Sequence, residues 1–220
     1  MNDLIKKILR EETEEVLMIP GLHYFPDGIE GLKNFIQKKN ITKWSLDDYL
    51  DLRWYDGDLT WFEGLVSISG YLDSEGKQIE SLPNLKSVGS YLDIRYTLIE
   101  SLPNLQSVGG YLNIQGTEIK SLPNLQSVGG NMDLIHSSIK SLPNLQSVGG
   151  FLDLERTKIK SLPNLQSVGR FLDTRGTQIE SLPSLKSVGK HLFLNKFLSK
   201  KYTDEEIRSM INVDGDIIRT

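Results

Sequence analysis

Hydrophobic positions along this chain recur with a single period of 20 residues. Residues 81–100 read SLPNLKSVGSYLDIRYTLIE and residues 101–120 read SLPNLQSVGGYLNIQGTEIK. The frame begins again at Ser121, Ser141, Ser161 and Ser181, without a slip between Ser81 and Lys190. A weaker copy precedes it, with Leu59, Phe62, Leu65, Ile68, Gly70, Tyr71, Leu72 and Ile79 at the matching positions. Tyr49-Leu50-Asp51-Leu52 is the trace of an earlier one. Self-similarity of this length marks stacked supersecondary units: a solenoid, a propeller or an array.

Inside each unit, Tyr91-Leu92-Asp93-Ile94-Arg95 alternates with period two, as a half-buried strand does. Leu92 and Ile94 then point inward, and Tyr91, Asp93 and Arg95 outward. Thr97 and Ile99 continue inward, and Leu82, Leu85 and Val88 add three more core positions. Pro83-Asn84 and Gly89 are turn signals, with room for a second short strand at 86–88. Pro83 denies the unit a long helix, because it removes an N–H and clashes with the preceding turn. One such coil cannot offset its own ordering entropy, so stability requires several in a stack.

The non-repeating ends predict caps. Leu4, Ile5, Ile8, Leu9, Val16 and Leu17 have helical spacing over residues 3–17, and a second helix is predicted over 28–38. Thr203-Asp204-Glu205-Glu206 opens a short helix with an N-cap hydroxyl and early acids. Asp214-Gly215-Asp216 is a turn, and Ile217-Ile218 a final edge strand. The expected division is a helical cap with a degenerate first coil at 1–58, the solenoid at 59–195, and a C-terminal cap of short helix and strand at 196–220.

The run Leu92-x-Ile94-x-x-Thr97-x-Ile99-x-x-Leu102-Pro103 resembles the leucine-rich repeat pattern L-x-L-x-x-N-x-L-x-x-L-P. The added Ser87-Val88-Gly89-x-Tyr91-Leu92 segment is similar to the L-domain variant of receptor ectodomains and to short bacterial-type leucine-rich repeats. The resemblance covers residues 59–195. It implies a mainly β repeat solenoid with a parallel β-sheet, a turn-rich convex side and short α-helical caps, about seven coils in all. It also implies the task most such repeats share, binding another macromolecule. Thr97, Thr117, Ser137, Thr157 and Thr177 replace the family's ladder asparagine. A hydroxyl can still reach backbone in the neighbouring coil but offers fewer donors and acceptors than an amide, so a straighter solenoid is expected.

Composition narrows the function classes. The chain has 33 Leu, 19 Gly and 8 Pro, with neither Ala nor Cys. The lack of Ala disfavours a helical bundle or doubly wound enzyme. The lack of Cys removes disulfides, thiol nucleophiles and thiolate metal sites. A net charge of −4 disfavours a nucleic-acid partner. No run of about 18 apolar residues is present, so membrane insertion is not expected. Charges interleaved through residues 1–17 do not fit a secretory signal, and the default expectation is an intracellular (cytoplasmic) protein.

Candidate binding residues lie in the outward columns. The first is Tyr71, Tyr91, Tyr111, Asn131, Phe151, Phe171 and His191. The second is Asp73, Asp93, Asn113, Asp133, Asp153, Asp173 and Phe193. The third, which varies from coil to coil, is Glu75, Arg95, Gln115, Ile135, Glu155, Arg175 and Asn195. The aromatic column either stabilises the sheet by stacking or forms a binding strip for a polypeptide or sugar. For the Asp column four readings stand: neutralisation by Arg95 and Arg175, contact with a basic partner, weak calcium binding, and a glycosidase-like acid–base pair. The Ser81, Ser87 and Asn84 columns read as turn hydrogen bonding. Glu80, Glu100, Lys120, Lys140, Lys160 and Glu180 form a flanking column with a basic stretch in its middle, most simply a solvated edge. His23, His136 and His191 are isolated, His191 on the aromatic column, and no catalytic motif is present. The expectation is a non-enzymatic protein-binding or scaffold module with an unidentified protein partner and no cofactor or metal. A structural spacer and a carbohydrate-binding or carbohydrate-active solenoid are the alternatives.

Overall fold

The structure is a computed structural model in which residues 16–219 are described. Two parallel sheets face each other along a β-solenoid of about eight turns. The first contains ten strands: Leu17–Ile19, Trp44–Leu46, Leu65–Ile68, then Ser87–Val88 and its copies to Ser187–Val188, and Asn212–Val213. The second contains nine, running from Leu50–Asp51 and Leu72–Asp73 through the repeat to Leu192–Leu194 and Ile217–Arg219. Each strand pairs with its copy one period away, as Val108 does with Val128 and Leu112 with Met132. Among the described residues the register shifts once, at Trp44/Ser45, before the frame becomes regular.

The inward positions are those the alternation assigns. Leu82, Leu85, Val88, Leu92, Ile94 and Ile99 are buried, and their copies continue one core from Ile19 to Val213. The Thr97 column is buried as well. Its hydroxyls, however, do not reach the neighbouring coil. Each donates to the carbonyl three residues back in its own coil: Thr97 to Ile94 (2.8 Å), Thr117 to Ile114 (2.7 Å) and Thr157 to Leu154 (2.8 Å). A side chain this short closes its own turn. The inter-coil amide bond falls instead to the Pro-Asn corner. Asn104, Asn124, Asn144 and Asn164 each donate to the proline carbonyl of the preceding coil at 2.6–2.7 Å. The Asn84 column is therefore a ladder between coils rather than a bond within each turn.

Glycine closes the other corner. A Cβ on Gly109 or Gly129 would collide with the carbonyl oxygen of the glycine one coil earlier. The coils approach there more closely than any side chain permits.

At the N-terminal end, helix α1 (Gly28–Lys38) forms as its spacing predicts and buries Leu32 and Ile36. It packs against 3₁₀ turns at Leu22–Tyr24 and Thr60–Gly64. Trp44 and Trp61 stack below it with ring centroids 5.3 Å apart. The helix predicted at 3–17 lies outside the described residues except at its end, where Leu17 opens a strand rather than ending a helix. At the C-terminal end, α2 (Lys196–Lys201) and α3 (Asp204–Met210) follow the last repeat strand. A capping box starts α3: Glu206 N–H donates to the Thr203 hydroxyl (3.2 Å) and Thr203 N–H to the Glu206 carboxylate (2.8 Å). Arg219 ties the final strand down through Asp204 and the carbonyls of Ser199 and Tyr202. Both sheets thus continue beyond residues 59 and 195. The repeat fades in sequence before it ends in space, because a coil needs only its inward apolar residues to stack. Among the described residues no helix is long and apolar enough to cross a membrane.

Candidate binding face

The second sheet and its flanking turns carry the three outward columns. All seven residues of the first column, Tyr71 through His191, are half-buried. The aromatic rings form two runs rather than one. Tyr49, Tyr71 and Tyr91 stack at 4.9 and 4.4 Å, and Phe151 stacks on Phe171 at 4.8 Å with planes 5° apart. Asn131 separates them; its side-chain oxygen accepts the Phe151 N–H (3.1 Å). Tyr111 turns its hydroxyl toward Asp133, 3.5 Å away. His191 meets Phe193 edge-on at 6.3 Å, and its Nδ1 accepts the Asp216 N–H (3.2 Å), so it holds the turn before the C-terminal strand rather than stacking on the column. Burial pushes the Tyr91 hydroxyl up to about 12 and raises Tyr111 as well. Both remain protonated donors at neutral pH.

The Asp column is not the open row of carboxylates that alternation alone implies. Asp93 is only 6% exposed, Asp73, Asn113 and Asp173 are buried, and Asp133 and Asp153 are half-buried. The cause is local. Each strand ends in a tight turn, and the Asp or Asn side chain folds back to accept the N–H two residues on. This bond recurs from Asp93 to Arg95 (3.2 Å), Asn113 to Gln115 (3.1 Å), Asp133 to Ile135 (3.1 Å), Asp153 to Glu155 (2.9 Å) and Asp173 to Arg175 (2.9 Å). It is an Asx turn, and it explains why Asn113 substitutes without change of form.

Guanidinium groups neutralise much of the column. Arg95 bonds Asp93 and Glu75, each at 2.9 Å. Arg175 bonds Asp173 at 2.9 Å and lies 3.6 Å from Glu155. Arg53, from the coil before the regular frame, pairs with Asp51 at 2.7 Å and reaches Asp73 at 3.3 Å. Asp73, Glu75 and Asp93 are the one acidic group, among the described residues, close enough to share a cation. Arg53 and Arg95 already hold it together. Asp133 and Asp153 lie side by side in register, and Arg175 reaches Asp153 only through its field, not by a direct bond. Burial, with Asp173 and Asp133 adjacent, pushes the Asp153 carboxyl from 3.8 up to about 6.

In the third column Glu75, Arg95, Gln115, Ile135, Glu155 and Arg175 are half-buried. Asn195 is not outward at all. It is buried, donates to Thr177 Oγ1 and the Ile179 carbonyl (both 2.9 Å), and caps α2 by accepting from Phe197 and Leu198. At the last coil it supplies the inter-coil amide bond that the threonines cannot.

Sequence reasoning passed over two features. Arg53 and Trp54 extend the face, Trp54 being 86% exposed; the match of Tyr49-Leu50-Asp51 to Tyr71-Leu72-Asp73 places them. The turn residue after the third column has a left-handed backbone in six consecutive coils, from Gly76 to Gly176. Glycine in half of those coils is the signal for it.

Compared with protein-family models, curated proteins and solved structures, the chain matches none.

Proposed function

We propose that this chain is a non-enzymatic binding module of leucine-rich-repeat type, and that it engages a protein partner through the second sheet's outer face. The observation that carries this reading is the pair of half-exposed aromatic runs, Tyr49–Tyr71–Tyr91 and Phe151–Phe171, set against the variable third column. Aromatic and Arg side chains on a rigid frame are the residues that dominate binding energy where partners meet. The carboxylates beside them are all committed to turn closure, and Asp73, Asp93 and Asp173 also to arginine pairing, which supports a recognition surface over an acid–base site. Within each run the rings cover one another's faces, and the side chains beside them vary in charge and size, so a protein partner is preferred to a carbohydrate.

The same stacking favours a second reading, in which the ladder only stiffens a structural spacer. Each stacked pair contributes about 0.5–1.5 kcal/mol beyond its burial. The test compares wild type with Tyr91→Ser/Tyr111→Ser/Phe151→Ser for capture of proteins from an extract of the source cells, followed by titration of each purified captured protein. Tyr111→Ser/Gln115→Lys alters the face without touching a stack. A binding module loses saturable binding in both variants, with the second melting close to wild type. A spacer shows unfolding in the first variant and undiminished binding in the second.

A further inference from the structure

Six consecutive coils leave the second sheet through one residue with left-handed backbone. In order these are Gly76 (φ 70°), Tyr96 (56°), Gly116 (69°), His136 (55°), Arg156 (61°) and Gly176 (71°). The turn is the same throughout, and three coils make it with glycine, the residue that adopts it without steric cost. The other three hold a large side chain in an unfavourable conformation. Such strain persists where the side chain serves a purpose apart from the turn. Tyr96 is 54% exposed, and His136 and Arg156 are exposed. Gly116 lets the Tyr96 ring lie along the edge, since a Cβ there would come within 2.5 Å of the ring.

Two further observations lie beside this line. Leu98, two residues on from Tyr96, is 49% exposed, which makes the N-terminal part of the edge apolar. Toward the C-terminal part, Lys140, Lys158 and Lys160 line a shallow cavity of about 480 Å³ with Gln178. Among the described residues none of the three lysines pairs with a carboxylate, and Lys120 extends their row through the Lys140 N–H to Lys120 carbonyl bond (2.8 Å). Like charges stacked at the strand spacing repel, and an anionic ligand relieves that repulsion.

We propose that this turn edge, from Tyr96 and Leu98 to Lys160, binds an extended acidic peptide segment. An apolar residue of the segment lies against Tyr96 and Leu98, and its carboxylates lie on His136, Arg156, Lys158, Lys140 and Lys160. Three coil steps at about 4.8 Å give about 14 Å, the length of four or five extended residues at about 3.3 Å each. Dispersed carboxylates suit separate ammonium groups. Arg156 lies 3.4 Å from Glu155 through its Nε, and its remaining guanidinium N–H groups can serve a peptide carboxylate. The site is a different edge from the aromatic runs and does not depend on their role.

The test uses the full chain and a fluorescein-labelled peptide of one leucine followed by glutamates, titrated by anisotropy at low and high salt. Saturable binding weakened by salt is expected. Lys140→Ser/Lys158→Ser/Lys160→Ser weakens it by about tenfold. His136→Gly/Arg156→Gly weakens it several-fold while raising the melting temperature, a combination that a merely structural role would not give. Tyr91→Ser/Tyr111→Ser/Phe151→Ser leaves peptide binding unchanged, which separates this site from the aromatic face. The proposal is overturned if wild type does not bind the peptide, or if the lysine variant binds it equally. Tighter binding of single-stranded DNA of equal charge, or a lower melting temperature in the glycine variant, would also overturn it.

Discussion

Asp153 offers the sharpest stability test, because the fold needs its oxygen but not its charge. Its carboxylate accepts the Glu155 N–H at 2.9 Å. Burial, opposed by that bond and reinforced by Asp173 and Asp133, moves its folded pKa from 3.8 to about 6. A displacement of this size corresponds to about 3 kcal/mol at 1.36 kcal/mol for each tenfold step. The side chain is only half-buried, so solvent screening reduces the effect to about 1–2 kcal/mol. The sign follows from linkage. Above pH 6 both folded and unfolded chains carry the charge, and the folded state bears the penalty. As pH falls from about 6 toward 4, the folded state takes up the proton first and stability rises. Below both values the penalty is gone. Asp153→Asn keeps the acceptor, as Asn113 does for Gln115, and deletes the charge. Thermal unfolding by circular dichroism at about pH 8 should show the variant about 2–8 °C more stable than wild type, and the gap should close by about pH 4. Asp153→Ala, which orphans the Glu155 N–H, should lie about 1 kcal/mol below the Asn variant. An Asn variant less stable than wild type at about pH 8, or one whose difference from wild type does not change with pH, refutes the reasoning.

The coil contacts set the outcome of three further substitutions. Gly129→Ala forces a methyl against the Gly109 carbonyl, with backbone on both sides. It should cost about 1–3 kcal/mol or more and split the unfolding transition in two, because stability in a stack is a sum over neighbouring coils; a wild-type melt would contradict the close approach. Asn124→Ala removes one exposed inter-coil bond (2.6 Å) and should cost about 0.5–1.5 kcal/mol by denaturant titration. Asn195→Ala removes two inter-coil bonds and the cap of α2 together, and should cost at least twice as much; equal costs would show that the buried amide does not join the last coil to α2.

Much of the architecture is legible before any coordinates. The 20-residue frame fixes which residues stack on which, and alternation assigns the core. Helical spacing locates α1, and Thr203 with Glu206 marks α3. The candidate face is less legible, for identifiable reasons. Period two says that Asp93 points outward, but not that a turn two residues later lets its side chain fold back onto the Arg95 N–H and become buried. The Thr97 and Asn84 columns exchange roles because side-chain reach, not residue type, decides which one spans the gap between coils. Asn195 shares a column with Arg175 by counting, yet the chain turns into α2 there and draws it inside. Tyr96, His136 and Arg156 read as ordinary surface until their backbone is known to be that of Gly76.

The central claim, that the second sheet's outer face meets a partner, is tested most directly by hydroxyl-radical footprinting of the wild-type chain with and without a purified captured partner. Aromatic side chains are among the most reactive residues in such an experiment and report on the columns individually. Protection of Tyr71, Tyr91, Tyr111, Phe151 and Phe171, with Tyr24 and Tyr202 unchanged, is the result the account predicts. Unchanged labelling of those five residues in a complex that demonstrably forms would contradict it.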